Sequence, residues 1–259
     1  MSQEGKLPGV NSDCTVIIVP TYNERESLPI LVDQIENHAP DCHLLIVDDN
    51  SPDGTADVAD SLFADKHGAS VLRRTGPRGL GLSYVDGYRQ SLVLGYSRVV
   101  QMDADLSHDP RYIPELIHAA ATADVVIGSR YCTGGGVAGW PMHRLLLSKF
   151  ANIYVAAITG LRVRDATAGF RCYTRRALEA IDIERITSNG YAFQVEMVYR
   201  ASQANLRIAE VPIVFTDRAH GQSKISRKVL LESMVVPWSL RFGSRRTKEF
   251  GTHRTPIKK

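Results

Sequence analysis

The sequence predicts an α/β fold, a mostly parallel sheet flanked by helices. Short β-branched runs alternate with longer stretches of helical period, and turn residues punctuate the changes. The runs are apolar throughout instead of alternating with polar residues, as expected of strands covered by helices on both faces. Taken in order, Thr15–Val19, Leu44–Val47, Ser70–Leu72, Val99–Met102 and Val125–Ile127 read as strands. Between them Glu26–Asn37, Thr55–Lys66, Ser83–Leu94 and Arg111–Ala120 read as helices. Ser51-Pro52-Asp53-Gly54 is a turn before one helix, and Asp109-Pro110 a cap followed by proline at the first helical position.

Beyond Gly128 the alternation weakens. A glycine loop, Gly134–Gly136, leads through Trp140-Pro141 to a helix near Arg144–Ile158, and Arg207–Phe215 reads as one further strand. A polar, glycine-containing loop then runs through Ser226 to a last helix interrupted by Pro237. The expected organisation is a polar extension over 1–13, one globular domain over 14–226, an amphipathic helical segment over 227–242 and a disordered basic tail over 243–259. In the last segment Ile225, Val229, Leu230, Met234 and Val235 can share one apolar side, with Trp238 and Phe242 beyond the proline.

Of 259 residues 44% are hydrophobic and 23% charged, the balance of an ordinary globular chain. No run approaches the roughly 18 apolar residues of a spanning helix, and Met1–Asp13 has no signal-peptide core, so a cytoplasmic chain is expected. Four dispersed cysteines fit a reducing compartment. The net charge of +3 does not argue for nucleic acid, although the tail is basic. A dinucleotide oxidoreductase would carry G-x-G-x-x-G after the first strand, where Pro20-Thr21-Tyr22-Asn23-Glu24 stands instead. A zinc hydrolase would show H-E-x-x-H, which is absent, and the histidines are scattered.

Ligands of open α/β sheets bind beyond the carboxyl ends of strands, which directs attention to three of them. The first runs into Pro20–Glu24, the second into Asp48-Asp49, the fourth into Asp103-Ala104-Asp105. Aspartates two apart at a strand end can face the same side and share a hard cation, Mg²⁺ or Mn²⁺, whose other ligands are phosphate and water oxygens. Such a cation would neutralise charge on a departing nucleoside diphosphate. Asp48 or Asp49 can accept hydrogen bonds from a base or ribose, or merely end the strand in a turn; Tyr22 offers a flat face and Glu24 an acceptor.

These strand ends resemble the large inverting glycosyltransferase family with the nucleotide-diphosphosugar (GT-A, Rossmann-like) fold. One branch, the dolichol-phosphate or polyprenol-phosphate mannose synthases, is similar over about Thr15 to Lys224. The resemblance lies in Val19–Glu26, Val47–Thr55, Met102–His108, Gly128–Tyr131, Ala168–Tyr173, Gly190–Met197 and Arg218-x-x-Gly221-x-Ser223-Lys224. It implies that Pro20, Tyr22, Glu24, Val47, Asp48, Asp49 and Ala104 serve the donor GDP-mannose, with Asp103 and Asp105 on donor and metal. It implies further that Arg130, Arg144 and Ser148 receive the phosphate of a polyprenyl monophosphate, that Arg218 and Lys224 hold donor phosphates, and that Asp105, Arg130, Arg218 and Lys224 carry catalysis. The implied product is a β-mannosyl phosphate lipid, made by inversion at the cytoplasmic face of a membrane, where the chain binds peripherally or through a membrane-embedded partner protein. Two alternatives stay open: a UDP-glucose donor, which the same metal chemistry would serve, and a nucleotide-binding scaffold subunit without turnover. Ser107, where some relatives have glutamine, receives no role.

Overall fold

The computed structural model describes residues 14–186, 188, 190–217 and 227–243. The chain opens with β1 (Thr15–Thr21), α1 (Ser27–His38), β2 (His43–Asp48), α2 (Thr55–Phe63), β3 (Ala69–Arg73), α3 (Leu80–Leu94) and β4 (Arg98–Gln101). It continues through a short 3₁₀ turn, α4 (Ile113–Ala119), β5 (Val125–Ser129), β6 (Gly136–Ala138), α5 (Met142–Thr159), β7 (Arg171–Thr174), α6 (Arg175–Ile181) and α7 (Gly190–Gln203). β8 (Ile208–Pro212), β9 (Val214–Thr216) and α8 (Arg227–Phe242) are the last elements among the described residues.

Among the described residues seven strands form one sheet in the order β3-β2-β1-β4-β7-β5-β8, and β6 pairs with β9 in a separate ribbon. All neighbours in the large sheet are parallel except where β7 enters antiparallel between β4 and β5. Two apolar layers cover it. Ile17, Val19, Ile46, Val100 and Phe170 pack with α1 and α4 on one face. On the other, Ile18, Val47, Tyr84, Tyr88, Tyr173 and Phe193 form a second core with α3 and α7. Burial on both faces is the physical reason these strands read as unbroken apolar runs. Gly87 lets α3 lie close on the sheet, since a Cβ there would sit 2.8 Å from Ile18 Cγ2.

The structure corrects three expectations. The stretch Arg207–Phe215 is two strands in two different sheets, divided at Ile213, whose side chain turns into the core. Pro237 lies inside α8, which continues through it to Phe242. β6 and β7 are additional strands. The segments 1–13 and 244–259, Arg218, Lys224 and Ile225 lie outside the described residues.

Candidate active site

Parallel pairing of β2, β1 and β4 brings the three polar strand ends side by side. Thr21 is opposite Asp48, and the Met102 N–H donates to the Ile18 carbonyl at 3.2 Å, so Asp103 follows on the same edge. Pro20 falls beyond the last β1–β4 pair, where its missing N–H costs that ladder nothing.

At the β2 end the two aspartates have distinct surroundings. Asp48 is buried and accepts from Thr21 Oγ1 at 3.0 Å, Ser51 Oγ at 2.6 Å and the Ser51 N–H at 2.9 Å, which shapes the turn. Asp49 pairs with the buried Arg74, which also donates to Asp86 at 2.8 Å and to the Pro77 carbonyl at 3.0 Å. The other Asp49 oxygen accepts the Gly79 N–H at 2.8 Å. Tyr22 stands nearby, its ring under the Arg78 guanidinium at 4.7 Å and its hydroxyl bonded to the same side chain. Glu24 accepts from Ser27 Oγ at 2.7 Å. Val47 is buried against α3.

At the β4 end Asp103 Oδ1 accepts from Tyr84 Oη at 2.9 Å. Burial above all, then the charge of Asp103, raises the Tyr84 pKa, which keeps that hydroxyl a donor. His108, stacked on Phe170, accepts the Asp103 N–H through Nδ1 at 3.0 Å and closes the loop. Asp105 Oδ1 accepts both the Ser107 N–H at 3.1 Å and Ser107 Oγ at 2.5 Å. Ser107, to which sequence gave no role, therefore sets the carboxylate's orientation; a serine two residues after an aspartate was the readable hint. Two carboxylates of this kind suit Mg²⁺ or Mn²⁺, which take few protein ligands and complete their shell with phosphate and water. Among the described residues no group of three or more His, Cys, Asp or Glu is arranged to hold a metal ion.

Gly169 lies against this loop: a Cβ there would come within 3.2 Å of His108 Cε1 and 3.4 Å of Asp103 Oδ2. Gly169→Ala is expected to lower turnover by roughly tenfold or more by displacing the carboxylate, with a melting temperature close to that of the parent. Steady-state rates and a thermal melt check both halves.

Beyond β5 the residues implied for an acceptor phosphate gather around two aromatic rings. Arg130 and Arg144 lie 5.5 and 4.1 Å from the Trp140 ring centroid, and Tyr131 Oη donates to Ser148 Oγ at 2.7 Å. Arg144 also pairs with Asp217 at 2.8 Å. Arg130 binds Asp165 through Nε and Nη2, each at 2.7 Å. Burial pushes the Asp165 pKa up, but hydrogen bonds and the charge of Arg130 outweigh it and hold the carboxyl below its usual range. Trp140, Tyr131, Asp165 and Gly169 were not identified as site residues from sequence. A groove of about 560 Å³ opens beside Arg130, between the glycine loop and α5, lined also by Lys149, Arg164, Leu145 and Ile153. Cationic and apolar walls together suit an amphiphile with an anionic head.

Residues 16–182 match the family described as glycosyl transferase family 2. The polyprenol monophosphomannose synthase of Mycolicibacterium smegmatis is 46% identical over 231 residues, covering 88% of this chain and 87% of that one. The undecaprenyl-phosphate mannosyltransferase of Micrococcus luteus is 45% identical over 225 residues, covering 86% and 93%. Among solved structures, glucosyl-3-phosphoglycerate synthase from Mycobacterium tuberculosis in complex with Mn²⁺, uridine diphosphate and glucosyl-3-phosphoglycerate superposes with a TM-score of 0.65 at 18% identity, covering 89% of this chain and 80% of that one. That likeness establishes the shared fold, and the family match over the strand ends, with two relatives aligned along nearly their whole length, establishes that the chain belongs to glycosyl transferase family 2.

Proposed function

We propose that the chain transfers mannose from GDP-mannose to a polyprenyl monophosphate, inverting the anomeric centre and releasing GDP. The observation that carries this reading is that the Asp103–His108 loop and Arg130 of the cationic, partly apolar groove meet at Phe215, whose ring lies 5.5 Å from that of His108 and 5.6 Å from the Arg130 guanidinium, in a chain aligned with relatives named for mannosyl transfer to polyprenyl phosphates.

A phosphate monoester with a second pKa near ~6 is already largely dianionic at neutral pH, so its oxygen needs no strong base to attack. The new bond joins that oxygen to the anomeric carbon as the bond from that carbon to the diphosphate oxygen breaks. Asp103 and Asp105 would hold Mg²⁺ or Mn²⁺, which supplies charge neutralisation at the leaving diphosphate. Around the donor, Tyr22, Glu24, Val47 and Asp49 form the base side, Asp49 fixed by Arg74. Arg130, Arg144 and Ser148 receive the acceptor phosphate, the guanidinium forks suiting its oxygens. Arg218 and Lys224 are assigned to the donor phosphates. Protein incubated with Mg²⁺, GDP-mannose and a polyprenyl phosphate should form mannolipid. Glucolipid from UDP-glucose, with none from GDP-mannose, would overturn the donor assignment.

The acceptor's lipid nature also gives a use to an exposed apolar surface. No helix among the described residues is long and apolar enough to cross a membrane. Yet Met142, Leu146, Leu147, Phe150 and Ile153 of α5 are exposed, Phe150 by 64%, as are Met234, Val235, Trp238 and Phe242 of α8. The two helices meet where Trp238 Nε1 donates to Tyr154 Oη at 2.9 Å and Tyr154 Oη donates to the Met234 carbonyl at 2.8 Å. We assign this surface to the bilayer interface, α5 carrying at least as much of it as the carboxyl-terminal helix. Leu146→Glu with Phe150→Glu should reduce co-sedimentation with anionic vesicles several-fold while donor binding is retained. Unchanged sedimentation would move attachment to a separate membrane protein.

A further inference from the structure

Arg130 is not a loose surface cation. Its side chain is 8% exposed and that of Asp165 0%. The pair is closed by the Arg130 N–H, which donates to Asp165 Oδ2 at 3.0 Å. Asp165 is itself held from β8, because Glu210 accepts the Arg164 and Asp165 N–H groups at 3.0 Å each. Thr167 adds a second tether. Its hydroxyl accepts from Arg130 Nη2 at 2.8 Å and from Asn152 Nδ2 at 3.1 Å, and donates to Asp165 Oδ1 at 3.2 Å. Both lone pairs and the single hydrogen of that hydroxyl are thus engaged, which fixes its direction. Asn152 belongs to α5 and donates also to the Ser148 carbonyl at 3.1 Å.

We propose that Asp165 and Thr167 are positioning residues that lock the Arg130 guanidinium to α5, so that the acceptor phosphate is received at a fixed distance from the helix that faces the lipid. The proposal rests on the reading of Arg130 as an acceptor-phosphate residue. An arginine side chain loses much rotamer freedom when it docks a ligand. Here that freedom is already lost on folding, so binding the phosphate does not remove it again. The arrangement also joins two requirements of a reaction at an interface: Ser148 and Arg130 for the headgroup, and the apolar side of α5 for the bilayer, share one hydrogen-bonded unit.

The test uses the full-length protein in detergent or vesicles, with Michaelis constants measured separately for GDP-mannose and for a polyprenyl phosphate. Thr167→Val keeps the shape and the Arg130–Asp165 pair but removes the hydroxyl. It should raise the acceptor KM by roughly tenfold with the donor KM unchanged. Thr167→Ser should restore it. In an Arg130→Ala background Thr167→Val should add nothing, since its effect passes through that guanidinium. Asp165→Asn should act in the same direction and more strongly; should it fail to fold, the threonine series decides. If Arg130→Ala raises the acceptor KM while Thr167→Val does not, or if Thr167→Val shifts both constants together, the positioning role is overturned. If Arg130→Ala leaves the acceptor KM untouched, it is the acceptor-phosphate reading of Arg130 that fails.

Discussion

Asp105→Ala is expected to abolish sugar transfer, and Asp103→Ala to reduce it by about 10²- to 10³-fold at saturating donor, because each would remove a charged oxygen ligand from the cation proposed to neutralise the leaving diphosphate. The two differ in their supports. Asp103 is braced by Tyr84 and by the backbone link to His108, whereas Asp105 accepts two hydrogen bonds from Ser107 within its own loop. Alanine at 105 strips Ser107 of its acceptor, so loss of activity there combines lost charge with lost loop geometry. Asp105→Asn retains an acceptor for Ser107 and isolates the charge. It should be nearly as inactive as the alanine variant yet melt like the parent. Near-normal turnover of both position-105 variants would remove the aspartate pair from the chemistry.

The second large effect concerns stability. Arg74→Met is expected to destabilise the fold by about 3–5 kcal/mol, because it leaves the buried Asp49 carboxylate without its countercharge. For a chain of this size that corresponds to a fall in melting temperature of roughly 10 °C. Asp86→Asn, at the half-exposed end of the same cluster, should cost much less. Donor affinity should fall with Arg74→Met even at temperatures where the variant stays folded, since Asp49 also fixes the Gly79 backbone beside Tyr22 and Arg78. Calorimetry and donor titration on one preparation read both consequences, and a melting temperature within a degree or two of the parent would refute the first.

The parallel strands and their polar ends were legible because double-sided burial writes an apolar run that stops where chemistry begins. β7 was not, since its four residues include Arg171, which is fully buried but donates to the Ala166 and Gln194 carbonyls at 2.8 and 2.9 Å. A charge inside a strand reads as surface unless its partners are known. Arg207–Phe215 read as one strand because Ile213 is as apolar as its neighbours, although it is the residue at which the chain leaves one sheet for another. In the candidate site, the strand-end aspartates could be located from position, but what holds them and the arginines could not. Asp165 is 35 residues from Arg130 and Asp217 is 73 from Arg144, separations at which a sequence carries no local trace of pairing. The apolar side of α5 was readable as helical period, and period alone does not say whether a stripe faces a core or a membrane.

The strand order has a consequence for how the molecule forms. β3, β2, β1 and β4 are complete once residue 101 has been made, and they can pair with one another at once. β5, next in the chain, borders none of them; its neighbours are β7 and β8, so it waits for residues 171–174 to insert beside β4. During synthesis the half built on β1–β4 can therefore mature while the half that carries β5 is still open at an unpaired strand edge, and closure requires pairing across long stretches of chain. Slow acquisition of the last part of the sheet is the expected consequence of this topology for refolding.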